Sequence, residues 1–427
     1  MNPEELKIKG SQMKIAVIGS GGREHALAWK LAQSVGRENI FCLPGNGGTW
    51  NNVPVQPDNF AAIEKFCEEK EIDLIVVGPE DPLAKGIVDF FNGKDIRVFG
   101  PDRQAAQLES SKIYAKKFMK KYGVATADFW MLEDGDDIEQ VIDQLDGNLV
   151  IKYDGLAAGK GVFVCNSAAE AYAALEELKR RYGDTAPFFI EQKFTGQELS
   201  IISITDGKHF KLLLPSQDHK PVFDGDKGPN TGGMGAYCPV PFCRAETLKQ
   251  IEREIVQPTL KGLQAEKLNY HGVIYFGLML TAEGPKLLEY NVRFGDPETE
   301  VILPALKSDL LQLIEASLNE NLASVEVQFN EGYFVDVVLA SGGYPASYEK
   351  GKIISGLDHV ADDVLVFHAG TKRENGNLVT SGGRVLNVVA QAPTLSEAID
   401  RAYTEAQKIH FDKMYYRKDI GKKGLLV

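Results

Sequence analysis

Lys14-Ile-Ala-Val-Ile18, the turn Gly19-Ser-Gly-Gly22 and the segment 23–35 decide the fold class. A short apolar run meets a glycine turn and then a helix-period stretch with Ala26, Leu27 and Leu31 on one side. That is the strand–turn–helix unit of a parallel α/β sheet. The alternation continues outward from it. Residues 40–43 read as a strand ending in Pro44-Gly-Asn-Gly-Gly48, 60–69 as a helix, and 72–77 as a strand closing on Gly78-Pro-Glu80. A helix over 82–91 and a strand over 96–99 complete a unit spanning 13–110. Such sheets bind ligands at the carboxyl ends of their strands, where these glycine turns lie.

Residues 111–123 read as a linking helix. A smaller α/β unit follows over 124–194, with strands at 149–152, 162–165 and 188–193 and a helix at 168–182. From 195 to 330 strands, long loops and helices mix, and the Gly/Pro/Asn-rich run 225–235 reads as loop. Residues 331–427 are β-rich, with strands near 334–340, 364–369 and 385–391 and a closing helix over 395–409.

The formal net charge of −13 excludes a basic footprint for sequence-independent nucleic-acid binding, although local Lys/Gly sites still suit small anions. Cys42, Cys67, Cys165, Cys238 and Cys243 are odd in number and match neither zinc spacing nor a disulfide framework. Reduced thiols imply a cytoplasmic chain. No apolar run reaches about 18 residues, so no membrane span is expected, and the first dozen residues do not read as a signal peptide.

Chemistry concentrates in four places. Taken as one strand, 287–294 puts Leu287, Glu289, Asn291 and Arg293 on one face and Leu288, Tyr290, Val292 and Phe294 on the other. A carboxylate and an amide oxygen about 7 Å apart suit Mg²⁺ completed by nucleotide phosphates. Arg293 could hold a phosphoryl or carboxylate group. A solvated polar strand face is the plain alternative. In 149–162, Lys152 ends a Val/Ile strand and Gly155, Gly159, Lys160 and Gly161 follow. Glycine-rich backbone and lysine fit phosphate, yet the spacing is not a P-loop, because Gly161 stands where Ser or Thr is required. A hairpin with surface lysines is the bland reading. The turn 19–25 resembles a dinucleotide fingerprint, but Glu24 replaces its third glycine and the second strand ends Cys42-Leu43-Pro44 without an acid. A sugar phosphate at the helix N-terminus is the simpler ligand, with Glu80 and Asp81 near its hydroxyls. Finally, Ser216-Gln-Asp-His-Lys220 and Gly228-Pro-Asn-Thr-Gly-Gly-Met-Gly235 read as a closing substrate loop, with an ordinary turn as the alternative.

Together these strings, with Asp154-Gly-Leu-Ala-Ala-Gly-Lys-Gly161, Asn291-Val-Arg-Phe-Gly-Asp-Pro-Glu-Thr299 and Gly382-Gly-Arg384, resemble the glycinamide ribonucleotide synthetase family of ATP-grasp ligases in purine biosynthesis. The resemblance covers all but the first dozen residues. It implies a Rossmann-like N-terminal domain (13–110), the linking helix (111–123), an ATP-grasp core of lid (124–194) and catalytic (195–330) α+β subdomains, and a β-rich C-terminal domain (331–427). It implies a cytoplasmic monomer joining glycine to 5-phosphoribosylamine with ATP and Mg²⁺ or Mn²⁺, without nucleic acid or membrane partners.

Carried over by position, Lys112, Lys152, Gly159, Lys160 and Gly161 resemble phosphate-side ATP ligands. Glu191, Gln192, Lys193 and Phe194 resemble the adenine hinge, and Glu198 the ribose ligand. Glu289 and Asn291 resemble the metal ligands. Gly19, Gly21, Gly22, Arg23, Glu24, His25, Asn46, Gly47, Gly48 and Glu80 resemble the phosphoribosylamine site. Asp218, Lys220, Asn230, Thr231, Gly232, Gly233, Arg293 and Asp296 resemble the remaining substrate site, with Lys152, Arg293 and Asp218 in catalytic roles. Tyr153 stands where a small residue is usual, and Gln192 where an acid is common. Other ATP-grasp ligases or carboxylases, a non-catalytic nucleotide-binding module and a dehydrogenase are the rival readings.

Overall fold

Four short apolar strands pair in parallel, in the spatial order Ile40–Pro44, Ile15–Gly19, Leu74–Val77, Arg97–Pro101. The computed structural model describes residues 13–131, 137–155 and 161–426. In Ile15–Gly19 successive residues feed different cores: Ala16 and Ile18 join one cluster, Ile15 and Val17 the other. Burial on both faces explains why this strand is apolar throughout rather than alternating.

The sheet continues past its parallel part. Tyr270–Thr281 pairs antiparallel with Arg97–Pro101 through Tyr270 and His271. It carries Gln197–Thr205 on one side and Gly284–Asn291 on the other. The helix expected over 82–91 is instead two, Glu80–Ala84 and Ile87–Phe91. Gly86, at φ +89°, turns into the left-handed region and breaks the hydrogen-bond ladder between them.

Ser111 accepts a bond from the Tyr114 N–H at 3.1 Å and so caps the helix Lys112–Tyr122, which Gly123 ends at φ +71°. Beyond it, Phe129–Met131, Phe188–Gln192, Leu149–Tyr153 and Val162–Val164 form a separate antiparallel sheet. The helices Ile138–Gln144 and Ala168–Tyr182 pack on it. Ile142, Leu149, Ile151, Leu178 and Ile190 give this unit a core of its own, the mark of a separate folding unit.

A third, antiparallel sheet runs Gln217–Asp218, Gly235–Cys238, Tyr333–Ser341, Arg384–Ala392, Leu365–His368. The helix Leu395–Ala406 packs against its two longest strands. The run 225–235 is not plain loop. Lys227–Asn230 pairs with Pro221–Phe223 as a hairpin, and Gly235 opens a sheet strand. Gly228 at φ +81° and Gly233 at φ +117° supply the bends that made the run look unstructured.

Between this sheet and the helix Glu298–Ala305 lies an unusual burial. Asp336 and Asn387 are diagonal neighbours on one sheet face, and Glu300 of the helix approaches them. Both oxygens of Glu300, both of Asp336 and Oδ1 of Asn387 are buried with no hydrogen-bond partner among the described residues. Burial drives both carboxyls well above the ordinary carboxylate range, and Asp296 adds to the effect. A group whose pKa is raised on folding supports the fold while protonated and loses that contribution as pH rises through its folded pKa. Stability should therefore fall with pH from the ordinary carboxylate range, about pH 4, upward. Asp336→Asn should flatten this slope and raise stability on the alkaline side by roughly 1–3 kcal/mol. Urea midpoints across a pH series measure it, and an unchanged slope contradicts the account.

Candidate active site

A cavity of about 720 Å³ opens between the separate four-stranded sheet and the antiparallel part of the main sheet. Its most informative wall is the strand Gly284–Asn291, which departs from strict alternation. Glu289 pairs with Gly277 and Leu287 with Leu278, so Leu288 is an extra residue in a bulge. Leu287 therefore turns into the core with Tyr290 and Val292, while Leu288 and Glu289 both line the cavity. Phe294 packs in the other core cluster, beyond the strand's end. The bulge leaves the Leu288 carbonyl outside the ladder, and it accepts a bond from Lys152 Nζ at 3.2 Å.

Across from this strand lie Lys112, Lys152, Gly161, Glu191, Gln192, Lys193 and Phe194, and Glu198 lies two strands over in the same sheet, all lining the cavity. Gly159 and Lys160 lie outside the described residues. Lys112 Nζ donates to the Gly155 carbonyl at 2.7 Å. Burial lowers the Lys112 pKa and its neighbour Lys152 lowers it further, against the pull of Glu289. Glu191 does more than present backbone at a hinge. Its buried carboxylate lies 2.5 Å from Lys152 Nζ and 2.7 Å from Lys116 Nζ. Burial works to raise the Glu191 pKa, but the two lysines outweigh it and hold it below the usual range. Lys193 bonds Asn166 at 2.5 Å, and the Gln192 N–H bonds the Asp128 carbonyl at 2.9 Å. Tyr153 stacks on Tyr182 with ring centroids 3.9 Å apart, so its ring is used in packing the small unit.

The cavity's other end is polar. Lys220 Nζ sits 3.0 Å from both Asp218 and Glu198. Burial pushes Asp218 up to about 7 against the Lys220 charge, with Glu298 and Glu198 adding to the rise. Asn230, Thr231, Gly232 and Asp296 line the same end. Arg293 lies 3.1 Å from Glu109 and 3.4 Å from Glu80, and its NH2 bonds Asn291 Oδ1 at 3.2 Å. Burial would raise Glu80, but Arg293 and Arg23 hold it below the usual carboxylate range. Burial lifts Glu109 to about 7 despite Arg293.

Of the N-terminal candidates only Arg23 and Glu80 line this cavity. Gly19, Gly21, Gly22, Glu24, His25, Asn46, Gly47 and Gly48, along with Gly233, are not among its lining residues. At the helix N-terminus read as the sugar-phosphate end, the Gly21 N–H donates to Glu24 Oε2 at 2.5 Å. Asn46 is held by the carbonyls of Ser20 and His368, at 3.0 and 2.6 Å. His25 accepts the His368 N–H at 2.9 Å, and burial beside that histidine lowers its pKa to about 3. The Gly47 N–H bonds the Thr371 carbonyl at 3.0 Å. These turns meet the C-terminal sheet, and Gly21 adjoins the cavity through Asp296.

Sequence reading missed Lys116, Glu109, Glu298, Tyr275 and Tyr344, all of which line the cavity. Lys116 had one available signal, its place one helical turn after Lys112. Arg384, only a candidate by its Gly-Gly-Arg setting, grips Asp296 at 2.8 Å and the Gly232 carbonyl at 2.8 Å. The Gly232 N–H bonds the Tyr344 hydroxyl at 3.1 Å. Residues beyond 331 thus reach the cavity.

Three family models match: phosphoribosylglycinamide synthetase N domain over 13–109, its ATP-grasp (A) domain over 110–299 and its C domain over 334–423. A phosphoribosylamine–glycine ligase of Clostridium acetobutylicum is 49% identical, covering 96% of this chain and 100% of the relative. One from Halalkalibacterium halodurans is 47% identical, covering 97% of each. The crystal structure of a Thermotoga maritima phosphoribosylamine–glycine ligase matches with TM-score 0.81 at 37% identity, over 95% of this chain and 100% of that one. A biotin carboxylase from Campylobacter jejuni shares the fold with TM-score 0.71 at 15% identity, over 97% of this chain and 95% of that one.

Proposed function

This chain belongs to the phosphoribosylglycinamide synthetase family, and from that premise we propose that it joins glycine to 5-phosphoribosylamine with ATP, yielding glycinamide ribonucleotide, ADP and phosphate. The reading is carried by one convergence: Lys112 and Lys152 face Glu289 and Asn291 across a single cavity. Residues 124–194 act as the lid over ATP, 195–330 as the catalytic wall, 13–110 as the phosphoribosylamine side and 331–427 as its backing. No described helix is long and apolar enough to cross a membrane. Five free cysteines suit a reducing, cytoplasmic compartment.

The chemistry follows from charge. A carboxylate and a triphosphate repel each other, and a carboxylate is a poor electrophile. Lys112 and Lys152 draw the phosphates in, and Arg293 and Lys220 order the anionic partners. One glycine carboxylate oxygen attacks the γ-phosphorus, and ADP leaves as the bond to the bridging oxygen breaks. The resulting glycyl phosphate carries phosphate as a good leaving group. The amine of phosphoribosylamine, held on the Glu80 side, attacks the acyl carbon. Phosphate departs and the nitrogen loses a proton. Closure by the lid keeps out water, which would destroy the acyl phosphate. The hairpin 221–230 presents Asn230, and the chain leaving it presents Thr231, to the same space.

A divalent cation fits the donors present. The Glu289 carboxylate has no hydrogen-bond or ion-pair partner among the described residues, and Asn291 offers an amide oxygen beside it. No described cluster of three or more acidic, histidine or cysteine residues could hold a metal alone. A Mg²⁺ or Mn²⁺ ion held by this pair and by nucleotide phosphates would neutralise charge on the transferring group. Glu289→Gln should weaken magnesium-dependent ADP binding in calorimetry at least about tenfold, the loss typical of even an outer partner. Unchanged affinity removes Glu289 from the site.

The whole reading is tested by ADP release with and without glycine and freshly generated phosphoribosylamine. Release that needs both supports it. Release that needs bicarbonate or formate, or nucleotide binding without turnover, replaces it.

A further inference from the structure

We propose that residues 414–423 form a strap that positions the substrate-facing hairpin 221–230, with Arg417 as its positioning residue. The inference rests on the ligation reading above, and it concerns what holds one wall of that site in place.

The hairpin has little support of its own. Its two strands pair only with each other. All of Lys227–Asn230 is exposed. A lone two-stranded hairpin is marginal in water. Yet its base frames the cavity, where Lys220 enters it and Asn230 and Thr231 leave it. Thr231 locks the two ends together, its N–H and hydroxyl both donating to the Lys220 carbonyl, at 2.8 and 2.7 Å. Movement of the hairpin therefore moves Lys220, and with it the pairings to Asp218 and Glu198.

The strap touches the hairpin at almost every residue of its arm and turn. Arg417 is fully buried and donates from NH1 to the Pro221 carbonyl and to Asp226, both at 3.0 Å. Its Nε and NH2 hold Asp419 at 2.7 Å each. Asp419 in turn accepts the Gly225 N–H at 2.8 Å. The Lys418 N–H bonds Asp224 at 2.8 Å, the Tyr415 hydroxyl bonds the Val222 carbonyl at 3.0 Å, and Lys423 pairs with Asp226 at 2.5 Å. The Gly421 N–H reaches His219 Nε2 at 3.3 Å, beside Lys220 in the chain.

The strap is itself anchored on rigid structure. Tyr415 pairs with Ala340, near the end of the central strand of the C-terminal sheet. The Tyr403 hydroxyl, from the helix Leu395–Ala406, donates to the Arg417 carbonyl at 2.7 Å and accepts the Ile420 N–H at 3.0 Å. Force thus runs from a packed helix and sheet, through one buried guanidinium, to the residues facing substrate. The planar fork makes four bonds, two of them in parallel to the Asp419 carboxylate, whereas a lysine has three donors on one nitrogen.

Asp226→Ala is the gentler test, because Asp226 is partly exposed while Arg417 is not. The expected result is a KM for glycine raised about tenfold, within the range that small misplacements produce, with a smaller rise in the KM for ATP passed on through Glu198. Trypsin should also cut after Lys227 faster than in the parent chain. Arg417→Ala should do the same more strongly, and Arg417→Lys should recover only part of the loss. A purely structural role would instead lower kcat with the folded fraction and leave both KM values alone. That outcome, or unchanged cleavage after Lys227 in Asp226→Ala, overturns the strap. If the parent chain shows no glycine-dependent ADP release, the ligation reading fails, and cleavage after Lys227 alone then decides for or against the strap.

Discussion

Lys152→Ala is expected to lower turnover by roughly a hundredfold or more while the chain stays folded, the range seen when one preorganised donor to developing charge is removed. Lys152 sits at the end of an apolar strand, buried, with its ammonium held between the Glu191 carboxylate and the bulged Leu288 carbonyl. That geometry fixes the charge before any phosphate arrives, so little reorganisation is needed during transfer. The aliphatic stem contributes to packing, so Lys152→Met is the better-matched partner variant. Single-turnover rates with saturating ATP and glycine, beside circular dichroism of each variant, measure the effect. Near-normal rates in both variants would falsify the assignment.

Glu191→Gln should cost about 3–5 kcal/mol of stability, because it leaves two buried ammonium groups without a counter-charge. Lys116, Lys152 and Glu191 are all almost wholly buried, and the carboxylate lies within 2.7 Å of each lysine nitrogen. Only part of the net charge is balanced even in the parent chain, which suits a site that receives a polyphosphate. The sign with pH is fixed by the direction of the shift. Glu191 is held below the ordinary carboxylate range, so its contribution is present above that range and is lost as pH falls through its depressed folded value. Urea unfolding of Glu191→Gln and of Glu191→Gln/Lys116→Met separates the two lysines. The double variant should regain part of the loss, since it removes one orphaned charge. If the single variant unfolds at the parent midpoint, the triad is not an electrostatic unit.

Much of this was legible in the amino-acid order, for identifiable reasons. The strand and glycine turn at 15–22 stood out because a strand buried on both faces must be apolar throughout. The linking helix expected over 111–123 lies at 112–122, its ends set by Ser111 and Gly123, which act within one turn of their own positions. Glu289 and Asn291 were found because period two puts them on one side of a strand. The same rule misplaced Leu287 and Leu288, since a bulge is an extra residue relative to a partner strand and has no meaning within one strand alone. The run 225–235 looked like loop for a similar reason. Glycine, proline and asparagine mark bends, and only the partner segment 221–223 shows that a hairpin connects them.

What the order of residues determined by itself is the local grammar: which segments are strands or helices, where glycine must turn the chain, and which residue types could serve phosphate and metal. Those features depend on neighbours a few positions apart, so period and caps reveal them. What only the tertiary structure decided is which charges meet. Lys152 finds the Leu288 carbonyl 136 residues away, and Arg417 finds Asp226 across 191. Partners so far apart share no period, and their pairing is set by burial, where a charge without a counterpart is too unfavourable to persist.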